Sequence, residues 1–171
     1  MTRIYLLRHT DAVPGSSDDR RRLSGKGRQD ASSLGQQLLA SQTSLPLKIF
    51  HSSLIRARET GELLTEGLQP KPILLEKKGL TPGDNPHDTF TWLQERKEHT
   101  MIIGHNPFLE QLAGLLMEND PFAGPITFRK GTFLCLEKNI VPHPKEGPFQ
   151  RWSVKWMLLP KLCGSSPTPK S

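Results

Sequence analysis

The chain has 171 residues, 35% of them hydrophobic and 23% charged, the balance of a soluble globular protein with room for one buried core. Cysteine is confined to Cys135 and Cys163, which excludes a disulfide scaffold and a cysteine-based zinc site. The longest apolar run near the start, Ile4 to Leu7, is too short for a signal peptide or a membrane span, so a cytoplasmic protein that does not enter the membrane is expected. A net charge of +6 and a pI near 9.6 favour anionic partners, whether phosphate, nucleic acid or an acidic protein surface, without choosing among them.

The segment Arg3 to Arg8 has the short continuous apolar run of a strand buried on both faces, and His9 follows its carboxyl end. Pro14, Gly15 and the polar residues up to Arg22 read as a loop, with the run Arg20 to Arg22 solvated and partly offset by Asp18 and Asp19. Ser24 can cap a helix that carries Ala31, Leu34, Leu38 and Leu39 at helical spacing and ends near Ser41. A second strand is expected over Leu47 to His51. The helix after it places Ala57, Thr60, Leu63 and Leu64 on one face, with Gly67 as its stop. Ile73 to Leu75 form a third strand, Leu80 to Pro86 a loop, and Asn85-Pro86 the start of a helix that runs to about Glu98.

The strand Thr100 to Ile103 then ends at Gly104-His105-Asn106-Pro107, where a second Asn-Pro helix start is expected. Leu109, Leu112, Leu115 and Leu116 give that helix an apolar stripe that packing alone explains. Two last strands, Gly131 to Glu137 and Trp152 to Leu158, are joined by a proline-rich stretch too short for a crossover helix, so that pair is antiparallel and the rest parallel. The order predicts an α/β fold, a three-layer α/β/α sandwich on a mostly parallel sheet with an antiparallel strand near the C-terminus. Residues 1–160 are expected to form a single domain and 161–171 a disordered tail.

In open α/β sheets, ligands bind beyond the carboxyl ends of the strands. Those ends are armed with Arg8, His9, Thr10 and Asp11 on the first strand, His51, Ser52 and Ser53 on the second with Arg56 and Arg58 just beyond, and Gly104, His105 and Asn106 on the fourth. Each residue alone has an ordinary structural explanation, but together at one edge of a sheet they do not. Guanidinium forks match the paired oxygens of phosphate, and imidazole nitrogens can attack it or donate to it.

The stretch Leu6-Leu7-Arg8-His9-Thr10-Asp11-Ala12 resembles the Arg-His-Gly signature of the histidine phosphatase (phosphoglycerate mutase-like) superfamily. Leu23-Ser-Gly-Lys-Gly27 is similar to its Leu-Thr-x-x-Gly helix start. Ser52-Ser-Leu-Ile-Arg56-Ala-Arg-Glu-Thr60 is similar to its Ser-x-x-x-Arg-Ala-x-x-Thr segment, and Gly104-His105-Asn106 to its Gly-His motif. The resemblance implies that His9 is the nucleophile, Arg8 and Arg56 are phosphate clamps, and His105 is a second imidazole on the phosphoryl group. It gives Arg58 no role. Thr10 stands where glycine is commonest, and its hydroxyl is expected to add a phosphate contact while its backbone avoids glycine-only angles. The resemblance implies no metal and no cofactor, and the flanking arginines should lower the pKa of His9.

Many phosphomonoesterases of that family supply a carboxylic acid after the third strand. Here Asp84 is the candidate general acid, with turn chemistry as its ordinary explanation. An alkoxide leaving group needs such an acid, whereas imidazole, with a pKa of about 6.5, does not. The Leu80-Thr-Pro-Gly-Asp84 stretch and the short chain resemble SixA-type phosphohistidine phosphatases, which implies a phosphohistidine-bearing protein as substrate. The alternatives are a phosphatase for small phosphomonoesters, a zinc hydrolase with His9, His51 and His105 as ligands, and a basic nucleic-acid-binding domain. The zinc hydrolase lacks a paired ligand spacing. The nucleic-acid reading lacks a recognition motif and, at 6% aromatics, a stacking platform. The oligomeric state is left open.

Overall fold

The computed structural model describes residues 2–43, 45–142 and 149–162. Its strands are β1 (Arg3–Arg8), β2 (Lys48–His51), β3 (Ile73–Glu76), β4 (Thr100–Gly104), β5 (Phe133–Val141) and β6 (Phe149–Leu158). Its helices are α1 (Gly25–Ala40), α2 (Ile55–Leu64), α3 (Pro86–Gln94) and α4 (Phe108–Glu118), with 3-10 turns at Asp18–Arg20 and Pro160–Leu162. The strands make one sheet in the order β3-β2-β4-β1-β5-β6.

β1 to β4 pair in parallel, and β5 lies antiparallel to both β1 and β6, so among the described strands β5 alone runs against the others. The entry into β5 sets that direction. The Gly131 N–H donates to the Arg8 carbonyl at 3.1 Å and the Arg8 N–H to the Thr132 carbonyl at 3.0 Å, so the chain joins β1 at its carboxyl end and must run back along it. Gly131 has a φ of +78°, and a Cβ there would also collide with the Pro160 ring.

The continuous apolar run of β1 is explained by two cores, one on each side of the sheet. Ile4 and Leu6 pack with Leu93, Leu109 and Leu112 of α3 and α4, while Tyr5 and Leu7 pack with Leu34, Leu38, Ala57 and Leu64 of α1 and α2. The expected three-layer sandwich is therefore the observed one. Loss of any of these buried leucines to alanine would cost about 2–5 kcal/mol.

Local boundaries follow side-chain hydrogen bonds. Ser24 caps α1 by accepting from the Gly27 N–H at 3.0 Å, and Asn85 caps α3 by accepting from the His87 N–H at 3.1 Å. α3 stops at Gln94, short of the expected Glu98. Arg96 donates to Thr100 Oγ1 at 2.9 Å and stacks over Trp92, turning the chain back into β4. α2 ends at Leu64 and is followed by a tight turn in which the Glu66 N–H donates to the Leu63 carbonyl and Gly67 takes a φ of +83°, the expected glycine stop.

Asn106 does not cap α4; its amide donates to Glu110 Oε1 and to the Phe128 carbonyl. The β5–β6 ladder extends past the expected ends to Val141 opposite Phe149, since antiparallel pairing continues where the core no longer reaches. The expected tail, 161–171, lies outside the described residues from position 163 onward, as does Cys163. No helix among the described residues is long and apolar enough to cross a membrane.

Candidate active site

Parallel pairing of β1, β4 and β2 brings Arg8 and His9, Gly104 and His105, and His51 and Ser52 to one edge of the sheet. The edge is stitched by backbone: the His9 N–H donates to the Gly104 carbonyl at 3.0 Å and the Ser52 N–H to the Ile103 carbonyl at 3.3 Å. A second tie comes from α2, where Thr60 donates to the Arg56 carbonyl at 2.7 Å and accepts from the Thr10 N–H at 3.2 Å. β1 and α2 therefore present His9 and Arg56 to each other as a rigid pair.

The tautomer of His9 is fixed by its neighbour. Nδ1 lies 2.6 Å from the Thr10 carbonyl oxygen, which can only accept, so Nδ1 carries the proton and Nε2 keeps its lone pair. Arg56 Nε donates to that lone pair at 3.3 Å. The ring is only 6% exposed, and its pKa is lowered to about 4. Burial is the largest cause. The Thr10 carbonyl opposes it, and the charges of Arg56, Arg8 and Lys130 add to the lowering. The arginines thus act in the expected direction but behind desolvation.

The His105 ring centroid lies 4.9 Å from that of His9. Ser52 Oγ accepts from the Leu54 N–H and stands 2.6 Å from His105 Nε2; when the serine proton is given to Nε2, Nδ1 of His105 is the N–H donor. That Nδ1 is buried without a partner among the described residues. Burial, reinforced by His9 and Arg56, lowers the pKa of His105 to about 3. Both imidazoles are therefore neutral near pH 7, His9 with its acceptor nitrogen met by Arg56 alone and His105 with an unpartnered Nδ1.

Two guanidiniums flank them. Arg8 Nη1 donates to the Phe128 carbonyl at 2.6 Å, and burial lowers its pKa while Glu110 opposes the shift. Phe128 is in turn held by Asn106 and Glu110, so the polar residue after His105 braces Arg8. Arg56 is buried, and its outer edge is gripped by Asp18: Nη1 donates to the Asp18 carbonyl at 2.6 Å and Nη2 to Asp18 Oδ2 at 2.9 Å.

The other candidates fall out differently. Thr10 avoids the left-handed region, as expected, and is fully buried, its hydroxyl 3.4 Å from Thr60 Oγ1. Asp84 accepts from the Thr81 N–H at 2.6 Å and the Thr81 hydroxyl at 2.7 Å, which is the turn chemistry that was its ordinary explanation. Arg58 pairs with Glu62 on the surface of α2. His51 is buried with Nδ1 on the Ser52 carbonyl. Among the described residues no three His, Cys, Asp or Glu side chains are grouped so as to hold a metal ion, which leaves the zinc reading of His9, His51 and His105 without geometric support.

Asp18, Ser52 and Glu59 gained no role from the sequence. Glu59 accepts from the Leu23 N–H at 2.9 Å and pairs with Arg22 and Arg28, so it anchors the return of the loop after β1 and absorbs part of the arginine run. The signal for Asp18 was its place in that loop, just before the arginines, within reach of any site beyond β1.

The architecture is that of the phosphoglycerate mutase-like phosphatases. No protein-family model matches the chain, and no curated protein matches its sequence. Its fold is similar to that of solved histidine phosphatases. The protein histidine phosphatase SixA complexed with tungstate superposes with a TM-score of 0.78 at 20% identity, covering 95% of this chain and 100% of that one. The native mycobacterial glucosyl-3-phosphoglycerate phosphatase superposes with a TM-score of 0.66 at 16% identity, covering 90% and 97%. The family resemblance drawn from the motifs is thus met in the fold.

Proposed function

We propose that this chain is a metal-independent phosphatase that hydrolyses phosphohistidine on a protein through a covalent phospho-His9 intermediate. The observation that carries it is the tautomer of His9: with Nδ1 spent on the Thr10 carbonyl, Nε2 is a buried, neutral nucleophile facing Arg56. A phosphoryl oxygen entering beside Arg56 takes over the Nε–H and so frees the lone pair that the arginine covers at rest.

His9 Nε2 then forms a bond to phosphorus, and the bond from phosphorus to the substrate's imidazole nitrogen breaks; the substrate ring enters protonated on its other nitrogen, so the electron pair stays on a ring that leaves as neutral imidazole. Arg8, Arg56 and the Nδ1–H of His105 stabilise the equatorial oxygens. Water next attacks phosphorus of phospho-His9, and inorganic phosphate leaves with return of the electron pair to Nε2.

The substrate class follows from the acid. Asp84 is tied into its turn by Thr81, so no proton donor for an alkoxide is posed there, and an imidazole leaving group of pKa about 6.5 does not require one. The fold shared with a glucosyl-3-phosphoglycerate phosphatase keeps small phosphomonoesters as the second reading. Steady-state rates on a phosphohistidine peptide and on a sugar phosphate, measured side by side, test the assignment. Preferred turnover of the peptide, with acid-labile phosphate trapped on His9, is expected; efficient turnover of the sugar phosphate alone would overturn it.

A further inference from the structure

Arg56 has five N–H donors, and three are engaged at rest: Nε on His9, Nη1 on the Asp18 carbonyl and Nη2 on the Asp18 carboxylate. Nη1 and Nη2 each keep one N–H, and Nε is released once phosphate displaces it from His9. The three residues are graded in exposure. His9 is 6% exposed and Arg56 3%, whereas the side chain of Asp18 is 58% exposed, so Asp18 holds the guanidinium from the solvent side. Its other oxygen accepts from Arg21 at 3.2 Å, and Arg21 also donates to the Val13 carbonyl, which fastens the Asp18 turn to the chain leaving β1. Held by Arg56 and Arg21, the Asp18 carboxyl lies below the usual carboxylate range and stays an anion at neutral pH.

We propose that Asp18 is the positioning residue of the phosphate clamp. Its carboxylate and its own carbonyl grip the outer edge of Arg56, fix the Nε edge against His9, and neutralise part of the charge that would otherwise hold phosphate too tightly. The proposal deepens the phosphatase reading of His9 and Arg56 and rests on it. It makes the loop after β1 part of the site, although no motif marks Asp18. It also predicts opposite effects on binding and turnover. Removing the anion leaves Arg56 with more uncompensated positive charge, which strengthens phosphate binding. The same change loosens the guanidinium, which misplaces the phosphoryl group for in-line attack.

The test compares the parent with Asp18→Ala and Asp18→Asn. The readouts are kcat and KM on a phosphohistidine peptide and on p-nitrophenyl phosphate, together with inorganic phosphate affinity by calorimetry, which needs no turnover. In Asp18→Ala phosphate should bind roughly three- to tenfold tighter, while kcat falls roughly tenfold to a hundredfold. The backbone carbonyl contact survives in every variant. Asp18→Asn keeps an acceptor oxygen without the charge, so it should recover most of the lost kcat and keep the tighter binding. On an Arg56→Ala background Asp18→Ala should leave phosphate affinity unchanged.

Unchanged kcat and phosphate affinity in Asp18→Ala would overturn the proposal. So would parallel loss of both with a lowered melting temperature, which marks a loop anchor, and so would a rise in kcat, which marks an obstruction. If the parent turns over neither substrate, the phosphatase reading fails separately, and the phosphate affinities still decide whether Asp18 acts through Arg56.

Discussion

Acidification from pH 8 to pH 5 should remove about 4 kcal/mol of folding stability through His9 and His105 alone. Their folded pKa values are lowered to about 4 and about 3, chiefly by burial, whereas an unfolded histidine titrates near about 6.5. Stability from such a pair is full above the unfolded pKa and is lost as the pH falls toward the folded values. At pH 5 each unfolded ring has gained a proton that the native ring refuses. That pH lies about 1.5 units below the unfolded pKa, and at about 1.4 kcal/mol per unit each histidine loses about 2 kcal/mol. Asp11 and Asp18, whose pKa values are lowered by Lys130 and Arg56 in turn, lose stability with the same sign. Their loss sets in only near the unfolded carboxylate value of about 3.9, so the window from pH 8 to pH 5 isolates the histidines. Urea unfolding followed by tryptophan fluorescence at pH 8, 6 and 5 measures the slope. The reference is the double variant His9→Asn, His105→Gln, whose amides keep the bonds to the Thr10 carbonyl and Ser52 without titrating. A parent that loses no more stability than this variant over the window would refute the burial of two neutral imidazoles.

Other outcomes follow from the same geometry. His9→Ala should abolish turnover while circular dichroism stays native, and Arg56→Ala should slow it about a hundredfold or more if loss of the clamp resembles loss of an oxyanion donor; Arg56→Ala within a few fold of the parent would place Arg56 outside the site. Asp84→Asn should barely change the rate on a phosphohistidine peptide, because the carboxylate is occupied by Thr81; a large loss on that substrate would make Asp84 a catalytic acid. Activity should survive exhaustive chelation, since Arg8 and Arg56 supply the positive charge, and loss that is restored by added zinc would revive a metal mechanism.

The centre of the parallel half was legible because β1 and β4 are buried on both faces and read as short apolar runs, with Ile4 to Leu7 as the example. The site edge was legible because β1, β2 and β4 end on residues whose chemistry is unlike packing. What sequence could not carry were contacts between residues far apart in the chain. Asp18 and Arg56 meet across 38 positions, and Arg8 meets Phe128 across 120. Asp18 therefore read as a partial offset to the arginine run, when its strongest partner is the buried clamp. The neighbour of Thr10 was hidden in the same way: its hydroxyl lies 3.4 Å from Thr60 Oγ1 of α2, which spacing along β1 does not reveal. The end of α3 at Gln94 was not legible because Arg96 meets Thr100 and Trp92 just beyond it, a contact that helix periodicity does not reveal.

These long-range contacts explain how a neutral imidazole is kept among cations without overcharging the site. Charge repulsion from Arg8 and Arg56 alone would make a poor design, since a site crowded with positive charge would hold its product phosphate as firmly as its substrate. In this fold burial does most of the lowering of the His9 pKa, and each nearby cation has a carboxylate behind it: Asp18 on Arg56, Glu110 facing Arg8, and Asp11 on Lys130 at 2.6 Å. The carboxylates stand behind the cations and do not contact His9, so they temper the field without offering the nucleophile a proton. The Thr10 carbonyl then fixes which nitrogen of His9 keeps its lone pair. Neutrality of His9 is thus set by burial at the end of β1, while on the proposed reading the loop that carries Asp18 separately sets the strength of the phosphate grip.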